Sequence, residues 1–156
     1  MGDVLATVML VALGLLLVSA GVEDVRIRQI ANWKNAAIAL MAPLWWMANG
    51  LALWPEVAIQ IGVALAVFAF FAGAFALGQM GGGDVKLIGA LALWLPVQPL
   101  LWMLVLMSLI GGALTLLLVL EKALRKTRKT LEIPYGVAIA IATLLVLREP
   151  IFNQFG

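Results

Sequence analysis

The chain has 156 residues, of which 65% are hydrophobic and only 12% charged, with a net charge of +2. Soluble domains are about 45–50% apolar and about 25% charged, so a chain of this composition is expected to fold as a single transmembrane domain over residues 1–156, with lipid as its solvent. The absence of Cys and His removes disulfides, the usual zinc ligands, hydrolases built on an imidazole base and H-E-x-x-H metalloproteases. The small net charge gives no reason to expect a nucleic acid, and no cofactor or metal is expected.

Six apolar runs alternate with short polar gaps. Val4–Val22 would extend about 28 Å as a helix, close to the roughly 30 Å hydrocarbon core. The Met1-Gly2-Asp3 start lacks a basic region and the run is too long for a secretory signal, so it is read as retained. After the charged segment Glu23–Lys34 comes Asn35–Trp54, with Pro43 inside it and Asn49-Gly50 and Pro55-Glu56 marking its exit. Val57–Leu77 follows, then the glycine-rich turn Gly78–Asp84. Val85–Val97 is short, about 20 Å as a helix, and Pro96 and Pro99 are read as closing it. Leu100–Leu120 precedes the basic segment Glu121–Glu132. Ile133–Leu147 is the last run, entered through Pro134-Tyr135-Gly136, a Pro in a first turn being well suited to a helix start.

Lys and Arg set the orientation. Arg26, Arg28 and Lys34 fill the first gap, Lys86 the third, and Lys122, Arg125, Lys126, Arg128 and Lys129 the fifth. Of the ten basic residues only Arg148 lies elsewhere. The expected architecture is therefore an all-α bundle of six transmembrane helices with both termini on the outer side, the short fourth run crossing with the membrane thinned around it or sunk into the bundle. Trp33 and Trp54 fall at expected interfaces, whereas Trp45 and Trp46 are mid-span packing residues.

Eight carboxylates exist. Asp3 and Glu149 lie near the ends, Glu56 suits the first turn of a helix, and Glu121 and Glu132 flank the basic segment. Asp24 and Asp84 differ: each sits at the inner end of an apolar run, on different helices but on the same membrane face. Acids at membrane depth are costly and are functional candidates by default. Two carboxylates brought together cannot both ionise cheaply, so one keeps a proton while the other stays charged. Such a pair can take a proton from water and polarise an amide carbonyl, although it titrates as a unit and roles cannot be split between its members. Gly81-Gly82-Gly83 before Asp84 permits positive φ and close backbone approach, or simply makes a loose turn.

Gly81-Gly82-Gly83-Asp84-Val85-Lys86 resembles the G-x-G-D segment of prepilin peptidases. Asp24-Val25-Arg26-Ile27-Arg28-Gln29-Ile30-Ala31-Asn32 resembles their first-aspartate segment, with Ala31 where the family has Pro. Ile133-Pro134-Tyr135-Gly136 resembles the opening of their last helix. The resemblance implies a membrane aspartyl endopeptidase of the bacterial inner membrane, with Asp24 and Asp84 catalytic. Gly81, Gly83, Pro134, Tyr135 and Gly136 support the site. Lys86 either stabilises the pair or snorkels to the interface, and Asn32 either bonds near the site or caps the second helix. The implied substrate is a prepilin whose basic leader is removed at the cytoplasmic face. With no Cys, the chain resembles the compact Tad/Flp-pilus form, which implies a Flp-type pilin precursor and leaves N-methylation of the new terminus without support. Arg26 and Arg28 are read as topology anchors, and the Lys122–Lys129 cluster as an anchor or a site for anionic membrane lipids. Two other readings remain: a related protease acting on a preflagellin-like substrate, and a small transporter or scaffold using its paired acids as an ion relay.

Overall fold

A computed structural model describes residues 2–125 and 133–148, with side chains from residue 4 onward. Asp3, Glu132, Glu149 and the basic residues Lys126, Arg128 and Lys129 therefore lie outside the described side chains. The described residues form six α-helices: α1 (Gly2–Ile27), α2 (Asn32–Ala48), α3 (Ala58–Ala76), α4 (Gly82–Ala92), α5 (Val97–Arg125) and α6 (Tyr135–Arg148). A wide turn, Leu53–Val57, leads into α3, with Trp54 extended at φ −135° and ψ 129°. Among the described residues three stretches are long and apolar enough to cross a membrane, Val4–Ile27, Leu53–Ala76 and Val97–Arg125, while α6 is apolar but shorter.

The boundaries move where charge or proline hides helix from a reading by hydropathy. α1 does not stop at Val22 but continues through Glu23, Asp24 and Arg26, because Glu and Arg are good helix formers and offset the poorer propensity of Asp. It ends at Arg28, whose φ of 55° is the left-handed stop that glycine usually provides. α2 starts inside the charged segment, at Asn32, and runs through Pro43. Its exit at Asn49-Gly50 is the expected turn, with Gly50 at φ 68°. Pro99 does not close the fourth run: it lies in the first turn of α5, where its missing N–H would have no helical partner in any case. α5 continues past Leu120 to Arg125, and Glu121 pairs with Arg125 at 3.0 Å on its exposed surface.

α4 is the pillar of the bundle. It packs against α2, α3 and α6, and apart from Lys86 every residue from Asp84 to Ala92 is buried. At about 16 Å for its 11 residues it is far too short to span by itself. α1 packs on α2 and α6, and α6 also on α5. The inward stripe of α1 is Met9, Leu13, Leu17 and Ala20, spaced by three or four residues as one helix face requires, and Asp24 continues it. The outward faces of α1, α3 and α5 carry exposed Val, Leu, Ile and Phe, the surface expected against acyl chains. Trp33 and Trp54 are exposed, whereas Trp45 is buried and stacks on Trp94 at 5.2 Å.

Candidate active site

Helical phase carries Asp24 inward, and α6 receives it. The Val137 N–H donates to Asp24 Oδ2 at 3.3 Å, so the carboxylate sits at the N-terminal end of α6, where backbone N–H groups lack helical partners and the dipole favours negative charge. The approach depends on Gly136: a Cβ there would lie 2.9 Å from Asp24 Oδ2 and 2.8 Å from Ile30 Cδ1. Asp24 is only 5% exposed.

Asp84 is the third residue of α4, whose N-cap is Gly81, and its carboxylate folds back on that glycine, where a Cβ would lie 3.0 Å from Oδ2. That is the place of the acid in a capping box. A purely structural acid could do as much, but this one is 8% exposed and stands close enough to Asp24 to feel its charge. The glycines before it are needed for space rather than for unusual φ. Gly81 has φ −72°, and the positive φ in this turn belongs to Gly78, at 70°. A Cβ on Gly82 would come 3.3 Å from the Phe75 ring, and one on Gly83 would come 3.4 Å from Ile30 Cβ.

Asp24 and Asp84 line one cavity of about 250 Å³ together with Arg28, Asn32 and all three glycines. A wider opening of about 650 Å³ reaches the same two carboxylates past Gly78, Met80, Ile133 and Tyr135. The Tyr135 ring also lies over Gly111 of α5, where a Cβ would come 3.1 Å from its Cε1. Pro134 is buried just before α6, and its carbonyl accepts the Val137 N–H at 3.1 Å. Thus Gly81, Gly83, Asn32, Tyr135 and Gly136 all border the cavity or one of its carboxylates, and Pro134 shapes the helix start that holds Asp24.

Three readings change. Asn32 does not cap α2, since the N-cap position is Ala31 and no side chain caps it. Instead its Oδ1 accepts from Lys86 Nζ at 2.9 Å. Lys86, exposed on α4, forms an ion pair with neither aspartate among the described residues. Arg28 is more than a topology anchor: it lines the cavity, its charge acts on Asp24, and its Nη1 is buried without a hydrogen-bond partner. Sequence reasoning also passed over Glu23, Lys34 and Asn35. Lys34 is 6% exposed and pairs with Glu23 at 2.8 Å. Asn35 is buried, donates to the Gly83 carbonyl at 3.2 Å, and leaves its Oδ1 without a partner. Their signal was present, in a Lys and an Asn within one turn of a charged helix start, but it was submerged in a topology argument. Among the described residues no group of three or more Asp, Glu, His or Cys side chains gathers.

An all-helical membrane protein with two buried carboxylates, from separate helices, on one cavity at one end of the bundle has the form of an intramembrane aspartic protease. The comparison with family models agrees: the model of the Type IV leader peptidase family matches residues 10–116, a span that contains both aspartates, and the chain belongs to that family. It is accordingly a G-x-G-D membrane protease, an aspartic-type endopeptidase of the inner membrane that acts on prepilin-like substrates. The match stops before Pro134-Tyr135-Gly136. Comparisons with curated proteins and with solved structures returned no match.

Proposed function

We propose that Asp24 and Asp84 are the catalytic pair of a leader peptidase that cleaves Flp-type prepilins at the cytoplasmic membrane face. The observation that carries this reading is that the carboxylates of α1 and α4 line one small cavity. Within it, the ionised member takes a proton from water while the protonated member donates to the scissile carbonyl oxygen. The hydroxide equivalent adds to the carbonyl carbon, and when the tetrahedral intermediate collapses the C–N bond breaks and the leaving amine takes a proton from the pair. Arg28 lines the same cavity and sets a positive charge beside Asp24. The cavity opens beside Gly81 and Gly78, so an extended substrate backbone can come close to the main chain at those two positions.

The basic gaps favour six crossings, with both aspartates inside the cell and both termini outside. The Flp-type assignment is supported by the lack of cysteine and by resemblance to the compact form of the family. In the decisive experiment the purified protein is incubated with a panel of prepilin and preflagellin leader peptides. Asp24→Asn and Asp84→Asn are each expected to reduce leader removal to the uncatalysed background while the protein still inserts and melts normally. Retained cleavage by either variant would remove the pair mechanism, and preference for the preflagellin leader would reassign the substrate.

A further inference from the structure

One short stretch, residues 30–35, runs between the two aspartate helices and is tied to each. Towards α1, the Ala31 N–H and Lys34 Nζ both donate to Glu23 Oε2, at 3.1 and 2.8 Å, and Lys34 also reaches the Ser19 carbonyl at 3.2 Å. Glu23 is the chain neighbour of Asp24. Towards α4, Asn35 Nδ2 donates to the carbonyl of Gly83, the chain neighbour of Asp84, and Asn32 accepts from Lys86. In the middle, buried Ile30 fits between the two glycines that flank the acids: its Cβ faces Gly83 and its Cδ1 faces Gly136. A lysine kept for topology would snorkel to water. Lys34 instead lies buried on a carboxylate, an arrangement expensive enough to need a reason.

We infer that residues 30–35 are a spacer that sets the separation of the two carboxylates, with the Glu23–Lys34 pair fastening it to the helix of Asp24 and Asn35 fastening it to the helix of Asp84. The inference rests on the catalytic pair proposed above. Glu23, Lys34 and Asn35 do not line the aspartate cavity and are positioning residues, acting on the reaction through Asp24 and Asp84. Ile30 lines it and acts as the wedge. A displacement of about 1 Å in a catalytic group can cost about 100-fold in rate, so losing the spacer lowers kcat and leaves KM, set by the substrate's wider contacts, unchanged.

The full chain contains no cysteine, so the separation can be measured without activity. Asp24→Cys and Asp84→Cys are combined and treated with a short and a long thiol cross-linker, with and without Glu23→Gln. The expected result is efficient coupling by the short reagent, shifted to the long one by Glu23→Gln. With both aspartates in place, Glu23→Gln lowers kcat about 100-fold at constant KM, and the charge exchange Glu23→Lys with Lys34→Glu recovers about tenfold of it. Stranding buried Lys34 can prevent folding. In that event Ile30→Ala, which leaves every charge in place, is expected to give the same cross-linker shift and the same kcat loss. Unchanged short-range coupling and full kcat in whichever variant folds would overturn the spacer. So would a loss that follows melting temperature alone, or one that the charge exchange fails to recover in a folded protein. These outcomes differ from failure of the catalytic pair, which shows as cleavage by Asp24→Asn or Asp84→Asn whatever the spacer variants do.

Discussion

At its C-terminal end α4 meets neutral donors; at its N-terminal end it meets charges. The C-terminal carbonyls of any helix lack helical partners, and here side chains from neighbouring elements satisfy them. Gln60 of α3 donates to the carbonyls of Ala92 and Leu95, and Trp46 of α2 to that of Leu93 at 2.8 Å. Trp94, just beyond the helix, returns a bond to Ile38 at 2.7 Å and stacks on Trp45. The N-terminal end instead gathers two carboxylates, a guanidinium nitrogen and an amide oxygen that lack partners, and a cavity. One end has its backbone carbonyls satisfied; the other holds buried polar groups without partners. Buried polar groups without partners call for an explanation, and the contrast supports the proposed site on grounds separate from any motif.

The sharpest way to break this contrast is to disturb the N-terminal end without touching an ionisable group. Gly136→Ala places a methyl where Asp24 Oδ2 and Ile30 Cδ1 already lie. Because the carboxylate must retreat, cleavage is expected to fall about 100-fold, whereas melting in detergent changes little. A variant that cleaves at the full rate would show that Asp24 does not depend on the start of α6. The complementary change is Gln60→Leu at the C-terminal end, where two backbone carbonyls lose their donor. Interhelical polar contacts in membranes are worth about 0.6 to 1.7 kcal/mol, so the expected cost is about 1–2 kcal/mol of stability, read as a lowered melting temperature, with kcat unchanged at temperatures where the protein is folded. A selective loss of kcat would show that the two ends of α4 are not separable. Trp94→Phe keeps the stacked ring and removes one hydrogen bond, and is expected to cost about 1 kcal/mol or less by the same assay.

What could be read in advance follows the same division. Asp24 and Asp84 stand out in the sequence because charge is rare in an apolar chain and its cost at membrane depth is large. The six helices are legible for the same reason, as gaps in hydropathy. The inward face of α1 is not: Val8, Val11, Leu15 and Val18 point outward and Met9, Leu13 and Leu17 inward, and when lipid and core are equally apolar no periodicity separates them. Hydropathy therefore does not tell which of Glu23 and Asp24 turns inward; in the structure Glu23 meets Lys34 and Asp24 meets the start of α6. Lys34 and Arg28 were hidden by a rule that counts positive charges without asking where each side chain goes. Asn35 reads as the first residue of an apolar run, although it holds the backbone beside Asp84. At Pro55 and Pro99 the local signal is ambiguous, since a proline suits both the end of one apolar run and the first turn of the next helix, and the structure puts Pro99 inside α5.

The smallest expected effect is at Lys86, and it tests how far the charged end of α4 extends. The side chain is exposed and bonds to Asn32, not to the carboxylates, so it joins Asn35 with Gly83 in tying α2 to the N-terminal half of α4. Lys86→Ala removes the exposed tie and keeps the buried one. A hydrogen bond of this kind contributes about 0.6 kcal/mol when water can replace it, equivalent to about threefold in rate. Lys86→Gln, which retains a donor but not the charge, is then expected to cleave close to the unaltered rate. If both variants instead lose about 100-fold, the ammonium charge itself acts on the pair, and the boundary between the reactive end of α4 and its structural remainder lies at least one residue further along the helix than the hydrogen bonds place it.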